Sequence, residues 1–294
     1  MKRHSIVRPW ASAFASAVLA AGAMVAQPAG SLGAQEEPPV QWQRTQGPTE
    51  PPPLVFRSTQ GINFPTATTL AKGEWQFEVS HRFRPAMSEG SDALWGLDGP
   101  VYLRLGLGYA ITDRLSVTLQ RSNEQDNLDL NFRGRLWERA HDRFPFLLAA
   151  QVGAAWNGEL PEVSPEPDPW QFYAMGILDQ GLGQRVGVGL VPAYLRNPDV
   201  FAESPGDAFS LGVHGQVYLS DDWSLLGEWN FSDAWNERLH DWGAFGVELE
   251  AGGHFFKLVV TNATSTNPSQ FLAGTPFKFE PEEWRLGFNI TRLF

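Results

Sequence analysis

The chain has 294 residues, a formal charge of −11, 13% aromatic side chains, 29 glycines and no cysteine. The missing thiols rule out disulfides, Cys-ligated metals, a thiol nucleophile and a lipoprotein anchor. The acidic balance, −14 once Lys2, Arg3 and Arg8 of the leader are removed, argues against a nucleic-acid partner. Mean hydropathy is −0.25, and nothing after the leader approaches the ~20 apolar residues of a membrane helix. Strands, of which only alternate residues face lipid, remain compatible with a bilayer.

In chain order, Lys2, Arg3 and Arg8 precede an apolar run from Trp10 to Ala26, the form of a secretory signal. Small residues allow cleavage after Ala23 or Ala34, and the later site gives a signal of residues 1–34. Residues 35–73 open with a polar stretch containing Pro51-Pro52-Pro53, and are expected to form a flexible periplasmic lead-in. From Glu74 to Phe294 the pattern is one domain of alternating segments. Strands are expected near 74–84, 101–111, 115–122, 126–137, 146–156, 170–178, 185–195, 208–219, 223–232, 243–251, 254–262 and 283–294. Their connections alternate long and short, such as Pro85 to Pro100 and then Thr112 to Arg114. Long loops outside and short turns inside are the rule for bacterial membrane barrels. The expected fold is all-β, a transmembrane antiparallel up-and-down barrel of about twelve strands in the outer membrane.

Side-chain parity supports that fold. Leu103, Leu105, Leu107 and Tyr109 share one face of the second strand, and Arg104, Gly106 and Gly108 share the other. Lipid-parity aromatics gather at strand ends in two girdles: Trp75, Tyr109, Trp137, Trp223 and Phe294 at one interface, Phe83, Trp156, Trp170, Phe209, Phe231 and Trp284 at the other. The last strand carries Trp284, Phe288, Ile290 and Phe294 on one parity, a closing strand ending in an aromatic that the barrel-assembly machinery is expected to read. The other expected partners are outer-membrane lipid and an unidentified surface ligand of the long loops.

Four stretches, INFPTATTLAKGEWQFEVSHRF (62–83), GLDGPVYLRLGLGYAITDRLSV (96–117), GGHFFKLVVTNA (252–263) and WRLGFNITRLF (284–294), resemble a family of bacterial outer-membrane barrels catalogued as a domain of unknown function. The resemblance runs from about Leu54 to Phe294. It implies fold and location, and brings no catalytic or binding residues.

Chemistry is expected in the lumen. Arg82, Arg84, Arg104, Arg133, Arg135 and Arg285 have inward parity on the first strands and the last, while Glu228, Glu248 and Glu250 have it on the ninth and tenth. Opposed positive and negative walls would either bias a narrow passive channel for small solutes or pair into a salt-bridged plug, leaving a structural or surface-binding barrel. A lipid-acting enzyme is the third reading, and His81 beside Ser80 is its one suggestive pair. Neighbours on a strand point to opposite faces, so Ser80 is not expected to reach His81. His214 has lumen parity; His141 and His240 fall in connections, and His254 opens the eleventh strand. The acidic stretch Glu159, Glu162, Glu166 and Asp168 lacks the spacing of a calcium loop. No cofactor, metal site or catalytic residue is expected.

Overall fold

A computed structural model describes residues 55–160, 162, 166–234 and 239–294. The expected signal, 1–34, and the start of the lead-in, 35–54, lie outside the described residues. Twelve strands follow: β1 (Trp75–Phe83), β2 (Val101–Thr112), β3 (Leu115–Ser122), β4 (Asn127–Arg139), β5 (Phe146–Asn157), β6 (Trp170–Leu182), β7 (Val186–Arg196), β8 (Asp207–Tyr218), β9 (Trp223–Ser232), β10 (Trp242–Ala251), β11 (His254–Thr261) and β12 (Arg285–Leu293). Each pairs antiparallel with its sequence neighbours, and β1 pairs with β12 to close the barrel. At closure Val79 faces Ile290, and Trp75 and Phe294 exchange backbone hydrogen bonds of 3.2 and 2.9 Å. No strand edge is left to attract a stray chain.

One end carries short turns. Gly252 and Gly253 join β10 to β11 with φ of 55° and 80°, the two successive left-handed residues that a tight hairpin turn needs. The other end carries the long connections, including Arg84 to Pro100 and Asn262 to Trp284. Trp284, expected in the closing strand, precedes β12 at the end of a short 3-10 turn and packs on Phe245 and Phe279.

The outer surface is a belt of exposed apolar side chains at mid-strand: Leu105, Leu107, Leu119, Leu130, Phe132, Val152, Leu190, Leu211 and Phe245 among them. Water would penalise an uninterrupted band of this kind heavily, and hydrocarbon does not. Exposed Trp75, Trp137, Trp223 and Phe294 ring the short-turn end; Trp156, Trp170, Phe209 and Phe231 ring the long-loop end.

The interior departs from a uniformly polar lumen. Around β1–β4 and β12 the inward side chains include Gln76, Glu78, Arg82, Arg104, Gln120, Asp129, Arg133 and Asn289. Around β5–β8 they include Leu147, Ala149, Tyr173, Met175, Ile177, Val191, Ala193 and Leu195, joined in one apolar cluster with Val55, Phe56, Ile62 and Phe64. Those last four residues overturn the expectation of a flexible lead-in for residues 55–73. This segment fills the barrel. It enters at the short-turn end, where Arg57 bonds the Asp221 carbonyl. It turns back at mid-height through a Gly61 N–H to Phe64 carbonyl bond of 2.9 Å, and it leaves where the Thr69 hydroxyl donates to the Asp113 carbonyl at 2.7 Å. Its few apolar residues could not form a core alone. They complete a core whose other half is the barrel wall.

Candidate functional site: the filled lumen

The N-terminal insert is seated by charge. Glu228, at the middle of β9, accepts three successive backbone N–H groups, from Ile62 (2.6 Å), Asn63 (2.7 Å) and Phe64 (3.3 Å). Successive N–H groups converging on one anion form a strong, geometry-specific clasp. Asp179 accepts the Ala67 N–H at 2.6 Å and contacts His214 at 3.1 Å, and the His214 ring stacks on Phe56 at 4.9 Å. From the opposite wall Arg133 donates to the Thr59 carbonyl at 2.6 Å, and Arg82 bridges Asn289 (2.8 Å) and Asn63 (2.9 Å). Lys257 donates to the Gln60 carbonyl at 2.7 Å.

Shape completes the fit. Inward glycines form sockets for two aromatic rings: a Cβ at Gly212 would lie 2.4 Å from the Phe64 ring, and one at Gly187 would lie 2.8 Å from Phe56. A side chain there would force the rings out of their present seats.

A second insert descends from the long-loop end. The connection after β11 folds inward with a single helical turn, α1 (Pro268–Phe271). Asn267 donates to Asn127 at 2.6 Å, Gln171 donates to the Ser269 carbonyl at 3.3 Å, and the Trp242 indole donates to the Phe271 carbonyl at 2.8 Å. The inserts meet at Phe64, which stacks on Trp242 (5.2 Å) and meets Phe271 edge-on (5.4 Å). Between them and the polar wall lies a cavity of about 30 Å³ lined by Glu78, Arg104, Gln120, Asn131, Arg133 and Pro268 among others. That is room for water rather than for a larger solute.

The nine expected lumen charges fall into distinct settings. Arg82, Arg104, Arg133, Glu228 and Glu248 are buried inside. Arg135 and Arg285 lie inside at opposite ends, with Arg135 3.1 Å from Glu138 and Arg285 donating to the Arg84 carbonyl at 2.8 Å. Glu250 is half-buried at the short-turn end, 3.4 Å from Arg57. Arg84 corrects its assignment: β1 ends at Phe83, and the guanidinium lies exposed, 5.0 Å from the Tyr102 ring. The expectation of opposed walls paired with one another is also corrected. Arg104 forms its ion pair with Glu78 on the neighbouring strand, and Glu248 with Lys257 at 3.3 Å on the neighbouring strand. Glu228 and Arg133 spend their charge on the insert. Glu78 and Lys257 were readable from parity. Asp179 was not, because β6 runs four residues past the expected end of that strand.

Ser80 and His81 point apart. Ser80 is buried inside, donating to Glu78 at 2.9 Å, and His81 stacks on Phe288 at 4.7 Å on the lipid face. Among the described residues no group of three or more His, Asp or Glu side chains could hold a metal ion.

A closed antiparallel barrel with an apolar belt, aromatic girdles and an occupied interior defines an integral outer-membrane β-barrel. The chain belongs to the family described as "Membrane bound beta barrel domain (DUF5777)", whose model matches residues 56–294. A comparison with curated proteins finds no match. Solved structures with similar folds include an outer membrane channel from Pseudomonas putida F1, at 14% identity over 78% of this chain and 98% of that one, TM-score 0.47. The NanC porin matches at 7% identity over 74% and 98%, TM-score 0.45. LpxR from Salmonella typhimurium matches at 10% identity over 75% and 100%, TM-score 0.36. At these identities the likeness concerns the fold alone.

Proposed function

We propose that the protein is a gated outer-membrane channel for small solutes, closed in this conformation by its own N-terminal segment. The observation that carries this reading is the clasp of Glu228 on the backbone of residues 62–64. A permanent filling is made most cheaply from apolar packing, since burying charge costs desolvation that ion pairing only partly offsets. Charged wall residues bonded to the backbone of a chain without regular secondary structure leave a lumen that water can enter once that chain withdraws. Arg82 and Arg133 on one wall and Asp179 and Glu228 on the other would then line the path.

Planar-bilayer recording tests the reading. Full-length protein should stay closed but for brief openings as its insert withdraws, and protein lacking residues 55–70 and 264–273 should conduct steadily. A deletion variant that runs as folded, heat-modifiable protein yet passes no current would overturn it. The second reading, a barrel kept shut and used through its outer surface, draws on the second insert, which blocks the lumen from the other end.

A further inference from the structure

Pro192 stands at the middle of β7 and is the one proline within a described strand. It lies across from Gly176, the central residue of β6. A proline has no N–H to give to a ladder and is normally confined to sheet edges or bulges. Here it sits in the wall of a closed barrel. The β6–β7 pairing runs from Phe172 with Arg196 to Met175 with Ala193, then resumes at Leu178 with Leu190, and the two central pairs are absent. β6 and β7 keep one register across the gap, whereas the register shifts of the ladder, at Ala110/Thr112 and Arg135/Trp137, lie towards the short-turn end. The gap in the ladder therefore falls at mid-height, where hydrocarbon offers no water to replace a lost partner.

What flanks the break is apolar on both sides. Pro192 is exposed towards lipid, and Gly176 brings no side chain to cover the seam, a Cβ there lying 3.4 Å from the proline ring. Inward, Met175, Ile177, Val191 and Ala193 belong to the apolar cluster that Phe56 and Phe64 of the insert complete. The seam thus separates hydrocarbon from an apolar patch of the lumen, and the buried Asp179–His214 pair lies just beyond that patch towards the short-turn end.

We propose that β6 and β7 part at Pro192 to form a lateral opening, through which a small, uncharged, apolar molecule passes between the lumen and the bilayer core. The opening rests on the gated reading above, because Phe56 and Phe64 cover that patch of the lumen until the insert moves. It adds a second route, sideways and apolar, to an axial and polar one.

The test uses the full chain, which has no cysteine of its own. Met175→Cys with Ala193→Cys, facing positions beside the break, allows a disulfide to staple the seam. Uptake of the apolar dye N-phenyl-1-naphthylamine is followed in cells making each variant at equal levels of folded protein. Wild type should take up dye several-fold faster than cells lacking the protein. The oxidised staple should return uptake to that background, and reductant should restore it. Pro192→Ala, which supplies the missing N–H, should slow uptake in the same direction. Wild-type uptake at background, or an oxidised staple without effect, overturns the lateral route. Conductance of the insert-deleted channel reads the axial gate separately: current through a stapled, insert-deleted barrel keeps the gate whatever the dye shows, and silence sinks the gate itself.

Discussion

Replacing Gly212 by alanine is the sharpest perturbation of the N-terminal insert. The new Cβ would stand 2.4 to 2.8 Å from three carbons of the Phe64 ring, against 3.5–4.0 Å for ordinary carbon contacts. The ring must retreat by about 1 Å, and Trp242 at 5.2 Å and Phe271 at 5.4 Å block its retreat. Overpacking of this kind costs about 1–3 kcal/mol. Gly212 faces the lumen, so the cost falls on seating the insert and leaves the lipid-facing surface untouched. Hydrogen exchange of the Ile62 and Asn63 amides, both bonded to Glu228, reads that equilibrium directly. At 1.4 kcal/mol per tenfold, their exchange should speed up by about 5- to 150-fold. Phe64→Ala alone should speed it further, since truncating a buried Phe costs about 3–5 kcal/mol. The double variant should be no faster than Phe64→Ala, because the clash has gone with the ring. Unchanged exchange in Gly212→Ala would refute the socket argument.

The second insert should respond to pH. Burial pushes Glu124, in the β3–β4 turn, up to about 7 from 4.5, and a hydrogen bond from Ser265 lowers it only in part. The docked loop binds that proton more tightly than the free loop, so docking is firmest below about pH 4.5 and weakens, by about 3 kcal/mol, as pH rises from there through 7. Hydrogen-exchange protection of residues 264–273, corrected for intrinsic rate, should fall over that window in wild type and stay level in Glu124→Gln; a level wild-type profile counts against this coupling of Glu124 to the second insert. Leu105→Arg, at an exposed mid-strand position of β2, should lower unfolding stability in lipid by about 2–4 kcal/mol, and a neutral result would move that face out of the hydrocarbon. Phe294→Ser should reduce the yield of folded, heat-modifiable protein, because Phe294 pairs with Trp75 where the barrel closes; normal yield would deny the terminal residue that part.

The strands were legible because a membrane wall imposes its period directly on the sequence. Leu103, Leu105 and Leu107 alternate with Arg104, Gly106 and Gly108 for one reason, that lipid lies on one side only. The lumen was harder to read. Parity says that Arg133 points inward and nothing about what it meets there, and the Thr59 carbonyl lies 74 positions away. Ile62 and Phe64 stand in a Pro- and Thr-rich context that resembles a linker, since an insert borrowing its core from the wall needs no periodicity of its own. The apolar inward run Tyr173, Met175, Ile177 carried a visible signal: it breaks the polar-inside rule on β6, and an apolar lumen face requires something to cover it.

The insert's contacts also dictate when it can form. Its partners are scattered from Arg82 on β1 to Asn289 on β12, with Asp179, Glu228 and Lys257 on three strands between. The bond from Asn289 to the Ile62 carbonyl joins positions 227 residues apart. Contacts of that sequence separation come late, after loop closure by the intervening chain. Arg82 on β1 and Asn289 on β12 hold Asn63 and Ile62 from the two sides of the closing seam, so the first stretch of the domain to be synthesised gains its full set of bonds only once the last strand is in place.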